Sequence, residues 1–170
     1  MWKRTRKSLV DPRCFSPEIR RNYVCETLVK GVIIRKYVDN ITAPKPKMFV
    51  LVGLDFDSFR AIVVFINSEK TDFALSNPEV NSRHIEITPR GYGFLQHRSY
   101  INCSQVHSLE LNRLINDYFE DISQRLGDLT PEHLALVVRE VNSARTVSPK
   151  DRNIINRNWI PEAVARQIKP

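Results

Sequence analysis

Apolar residues fall into two regimes along the chain. Up to about Val106 they come in short β-branched runs, and after it they recur at helical spacing. Val32-Ile33-Ile34, residues 48–53 and residues 61–66 read as strands, the last continuous enough to be buried on both faces. Ile85 and Ile87 alternate with Glu86 in a strand predicted to end before Pro89, and residues 99–103 read as a fifth short strand. Residues 39–46 read as a loop because Pro44 and Pro46 cannot supply ladder donors. Residues 55–58 and Gly91-Tyr92-Gly93 read as turns, and residues 67–78 as a polar loop.

Ser16-Pro17-Glu18 has a capping hydroxyl, a proline for the first turn and an acid for the positive helix end, which predicts a helix over 17–27. Leu111, Leu114, Ile115, Tyr118, Phe119 and Ile122 lie on one helical face, with Gly127 expected to close that helix. Thr130-Pro131-Glu132 opens another by the same capping logic, striped by Leu134, Val137, Val138 and Val141 and expected to end at Ser148-Pro149. Pro161 starts a last short helix. Strands grouped before helices predict an α+β fold or a small barrel with helical cover, not a parallel βαβ sheet.

The 170 residues, 42% hydrophobic and 26% charged, suit one domain with extensions and exclude wholesale disorder. The net charge of +7 is uneven. Residues 1–21 carry +5 and residues 150–170 carry +3, while the 128 residues between them carry −1. Cationic ends attract nucleic acid through phosphate neutralisation, although Lys3, Arg4, Arg6 and Lys7 also read as a plain solvated tail. The three cysteines and four histidines show no ligand spacing, so neither a disulfide framework nor a zinc site is expected. No apolar run is long enough to span a bilayer or serve as a signal peptide, and a cytoplasmic location with no membrane association is expected. Phosphate loops, His-Glu-x-x-His and Gly-x-Ser-x-Gly are absent, and no cofactor is expected. Asp55-x-Asp57 could be a paired carboxylate, but a turn accounts for it better.

A first strand follows a glycine (Gly31-Val32-Ile33-Ile34), and a loop leads into an apolar strand (Lys45-Pro46-Lys47-Met48-Phe49-Val50-Leu51-Val52). A third strand ends in a hydroxyl residue (Val63-Val64-Phe65-Ile66-Asn67-Ser68). In this order of elements, over about residues 31–147, the chain resembles the PemK/MazF (CcdB-like) family. Leu95-Gln96-His97-Arg98-Ser99-Tyr100-Ile101 and Asn102-Cys103-Ser104-Gln105 are similar to the family's "Ser-aromatic-Val" and "Asp-Gln" segments, and Arg125-Leu126-Gly127-Asp128-Leu129-Thr130 to its turn before the last helix.

The resemblance implies an SH3-like β-barrel of about five to seven strands with C-terminal helices, usually a homodimer. It divides the chain into a basic extension with a short helix (1–30), the barrel domain (31–147) and a C-terminal extension (148–170). It further implies a toxin-type endoribonuclease that cleaves single-stranded RNA without metal, held in check by a cognate antitoxin. The family's phosphate-stabilising arginine falls on Lys47, a point charge without the bidentate fork, and its phosphate-contacting hydroxyl on Ser68. The arginine and aspartate of the family's acid–base segment fall on Asn102 and Ser104, which cannot transfer protons in their place. His97 then becomes the candidate base, beside Arg98 as phosphate partner, with His107 second. Ser99, Asn102, Tyr92 and His107 complete the candidate RNA contacts, and Tyr92 and Tyr100 are candidates for base stacking. Two further readings stay open: a non-catalytic module binding nucleic acid or a protein, and interference with a topoisomerase.

Overall fold

The structure, a computed structural model, describes residues 11–39 and 45–169. β-branched runs supply the central strands β1 (Val32–Val38), β2 (Lys45–Asp55) and β3 (Arg60–Asn67). Two one-turn helices follow, α1 having come first at Pro17–Thr27; they are α2 (Asp72–Ser76) and α3 (Pro78–Ser82). The chain continues as β4 (His84–Ile87), β5 (Ser99–Asn102), β6 (His107–Glu110), α4 (Leu111–Glu120), β7 (Arg125–Asp128), α5 (Pro131–Ser143), α6 (Pro149–Ile155) and α7 (Pro161–Ala165).

The fold is α+β. Its antiparallel sheet runs β4-β5-β3-β2-β1-β7, with β6 sharing the outer edge of β3 with β5. A bulge between Leu51 and Gly53 and a register shift between Ile33 and Ile34 help it curl. Both faces are covered. Val32, Ile34, Phe49, Leu51, Val63 and Phe65 belong to one core, closed by α1, α4 and α7. Ile33, Val50, Val52, Ile62, Val64 and Ile66 belong to the other, closed by α5, α6 and the segment around Tyr92 and Leu95. Burial on both faces is why residues 61–66 show no polar alternation. Gly53 allows α6 to lie close on β2, since a Cβ there would sit 2.9 Å from Ile154 Cγ2.

The extensions take part in this packing. α1 and α7 lie against each other, and Trp159 Nε1 donates to the Leu28 carbonyl at 2.8 Å. The residue 1–10 tail, with its four basic side chains, lies outside the described residues, as do residues 40–44 of the expected 39–46 loop.

Several boundaries differ from expectation. Lys45 and Pro46 are already in β2; Pro46 is tolerated because β3 pairing begins only at Met48, leaving β2 an edge there. The expected polar loop at 67–78 holds α2 and α3. Their caps are Thr71, accepting from Ala74 N at 3.2 Å, and Asn77, accepting from Glu79 N at 3.1 Å. Ser148-Pro149 opens α6 rather than ending α5, with Asp151 N donating to Ser148 Oγ at 3.1 Å. Gly127 does not close α4 but pairs with Ile33 in β7. β6 and β7 lack apolar runs and had no sequence signature. Asp55 ends β2 and accepts from Asp57 N at 3.2 Å in the turn that follows, which runs over 56–59. Among the described residues, no helix is long and apolar enough to cross a membrane.

Candidate nucleic-acid interface

At the end of the β2–β3 pair where Met48 meets Ile66, the segment after Tyr92 borders a cavity of about 570 Å³. Lys47, Ser68, His97 and Ser99 all line it, with Arg35 and Lys45 adding two more cations. The strand carrying Lys47 and the loops carrying Ser68 and His97 are separate segments of the sequence. The antiparallel register brings the first two together, because Met48 pairs with Ile66. His97 arrives with the loop that buries Leu95 in the second core.

A second depression of about 600 Å³ adjoins the first and shares Ser68, Glu69 and His97 with it. Its further wall holds Lys70, Arg98, Tyr100 and Leu75. The two form one trough, cationic at both ends. Glu69 and Asp72 are the carboxylates among its lining residues.

Lys47 is half-buried and its ammonium donates to Asn67 Oδ1 at 2.8 Å. It also sits 5.2 Å from the centroid of the Phe65 ring. Both partners are neutral. Burial lowers the Lys47 pKa below the ordinary lysine value, and the neighbouring charge of Lys45 lowers it further. Lys70 repeats the arrangement, donating to Asn81 Oδ1 at 2.6 Å with its ammonium 4.9 Å from the Tyr100 ring centroid. Among the described residues neither lysine has a carboxylate within ion-pair distance. A desolvated ammonium held by neutral partners keeps its full charge available to an anion.

The other predicted residues separate into groups. Arg98 is exposed at the trough rim, 3.7 Å from Glu86. Ser99 lines the cavity but is 1% exposed, and its hydroxyl donates to the His97 carbonyl at 3.3 Å, so it shapes the loop carrying His97. His107 lies behind the trough wall, stacked on Phe65 with ring centroids 4.0 Å apart. Burial pushes its pKa down, and the Lys47 charge adds to the effect.

Tyr92 and Asn102 do not line the trough. Tyr92 is 5% exposed; its hydroxyl accepts from Thr130 N at 3.3 Å and is hydrogen-bonded to His133 Nδ1 at 2.6 Å. A ring so enclosed tethers α5 and has no free face for a base. Asn102 Oδ1 accepts from Ser104 N at 3.1 Å and from Ser104 Oγ at 2.6 Å, tightening the turn after β5. Cys103 between them is buried, its pKa pushed up to about 12 by desolvation. The segment matching the family's acid–base pair is therefore occupied with local folding.

Sequence reasoning missed Lys70, Arg35 and Lys45 as trough residues. Only the curl of the sheet and the placement of α2 and α3 bring them alongside Ser68. Among the described residues, no group of three or more His, Cys, Asp or Glu is placed to hold a metal ion.

In comparison with known proteins, the chain matches no family model, and no curated protein matches it.

Proposed function

We propose that the trough binds single-stranded RNA and that the protein is a metal-independent endoribonuclease of the PemK/MazF type. The observation that carries this reading is the convergence of Lys47, Ser68 and His97 on one cavity from a strand and two separate loops. The chemistry asks for a base at the 2′-hydroxyl, a cation and a donor at the phosphate, and a proton for the leaving oxygen. In this reading neutral His97 takes the 2′-hydroxyl proton, and the 2′-oxygen attacks phosphorus. Lys47 and the Ser68 hydroxyl hold the phosphoryl oxygens. The 5′-oxygen leaves with a proton from the Lys47 ammonium, whose pKa burial lowers. The curled sheet would then be the family's SH3-like barrel. The working unit would be a cytoplasmic homodimer, and the cognate antitoxin an acidic segment competing for the trough.

The test is purified protein incubated with single-stranded RNA, with and without chelator. Cleavage is expected in both. His97→Ala is expected to slow it by about 100-fold or more, with RNA binding retained, in line with the usual effect of removing a general base. Absence of cleavage in every condition, together with unimpaired growth on expression, would overturn the enzymatic reading.

A second reading is favoured by one observation: Asn102 and Ser104, at the family's acid–base positions, are bonded to each other. It takes the protein as a non-catalytic RNA binder on the same trough. It predicts salt-dependent RNA binding without cleavage, and a biological effect that survives His97→Ala. A supercoiling assay separates both readings from topoisomerase interference.

A further inference from the structure

Around Lys47 the trough is lined by cations and hydroxyls together with the apolar Met48, Ile66 and Phe94. Beyond His97 the wall is mixed, with the half-buried Tyr100 ring, the Lys70 ammonium beside it and the exposed Leu75 of α2. Phe73 and Leu75 are 67% and 60% exposed on that one-turn helix, an unusual outlay of apolar surface next to a charged groove. Tyr100 is fixed by its strand, opposite Asn67 on β3 and Glu86 on β4. Lys70 is fixed by Asn81 of α3. An aromatic ring with a tethered cation beside it is a platform for a nucleobase, with the cation left for the adjoining phosphate.

We propose that Tyr100, Lys70 and the apolar side of α2 form a base-stacking subsite that takes one unpaired nucleobase of the RNA strand lying across Lys47, Ser68 and His97. This rests on the single-stranded RNA reading above and gives that preference a physical cause, because a base inside a duplex is already stacked on both faces.

The experiment uses the full chain and a single-stranded oligoribonucleotide of ten nucleotides carrying 2-aminopurine at one position, with the label moved along the strand in separate oligonucleotides. On binding the wild type, one label position is expected to be quenched by ring stacking. Tyr100→Leu is expected to abolish that quenching and weaken binding about tenfold, within the usual range for one base–aromatic stack. Tyr100→Phe is expected to preserve both. The matching duplex is expected to bind more weakly than the single strand and to be indifferent to Tyr100→Leu. Binding by the wild type with no quenched position overturns the subsite without reliance on any variant's folding. If Lys47→Ala weakens binding while Tyr100→Leu and Tyr100→Phe do not, the subsite falls and the RNA trough stands. If the wild type binds no RNA at low salt, both fall.

Discussion

The two ends of the β2–β3 hairpin are built from the same strands and treat positive charge in opposite ways. At the turn end, Arg60 donates to Asp151 at 2.8 Å and to Ser108 Oγ at 3.0 Å, under the cover of α6. Its charge is matched by a carboxylate and partly covered. At the open end, Lys47 meets an amide oxygen and a ring face, with no carboxylate partner among the described residues. The first arrangement is what a structural cation needs, since an enclosed charge without a partner is costly. The second leaves that cost in place, and an incoming anion would remove it. One hairpin thus carries a closed end that stabilises and an open end that is prepared to bind.

The contrast can be broken most severely at the closed end. Gly53→Val should lift α6 off β2, because even a Cβ meets Ile154 at 2.9 Å. A loss of about 3 kcal/mol is expected in urea unfolding, the upper range for overpacking a filled core. RNA affinity per folded molecule should be unchanged, because α6 does not line the trough. Next in size is Asp151→Asn, which leaves Arg60 without its counter-charge and weakens the start of α6. It should cost roughly 1–2 kcal/mol by the same measurement. At the open end the sign should reverse. Lys47→Met removes a desolvated charge that has no carboxylate partner, and should raise stability by up to about 1 kcal/mol while lowering RNA affinity. A Lys47→Met protein that is both less stable and unchanged in RNA affinity would show that the lysine is structural, and the contrast would be lost.

The smallest effect expected is in pH dependence. His107, stacked on Phe65 behind Lys47, has its pKa lowered by burial and then by the Lys47 charge. His84 is lowered by burial, against the opposing pull of the Val80 carbonyl. The unfolded chain takes up these protons near pH 6.5, the folded chain only at lower pH. Unfolded molecules therefore bind more protons across that window, so stability falls as pH drops from about 6.5 through the folded values. His107→Gln should make the slope shallower, measured as urea midpoints between pH 7.5 and 5.5. Equal slopes in variant and wild type would mean that His107 is not desolvated by its stack.

Local signals proved readable where one residue type does one job. Ser16 and Thr130 cap the helices their sequence context announces, with Ile19 N and His133 N each 3.2 Å from the capping oxygen. Ser148 carries the same signature, yet it reads backwards as an end when the preceding apolar stripe is followed too far. β6 and β7 were invisible because His-Ser-Leu-Glu and Arg-Leu-Gly-Asp have no strand-like pattern of their own. They are strands only because β3 and β1 present unpaired edges to them. Tyr92 looked like a stacking aromatic on composition, and its burial depends on α5 arriving from forty residues later, with His133 against its hydroxyl.

What the sequence determined by itself is the set of elements that follow from near neighbours. These are the central β-branched strands, the capped helices, the amphipathic face of α4 and the placement of excess charge at the two ends. What only the tertiary structure decided is which side chains share a surface. Lys47, Ser68 and His97 meet because a strand register, a sheet curl and a loop path coincide; Lys70 joins them through its bond to Asn81 of α3, and Tyr100 through the pairing of β5 with β3. Covalent neighbours set local conformation through sterics and hydrogen bonds within a few residues. The company a charge keeps, and so whether it is neutralised or left for a ligand, is set by packing across the whole chain.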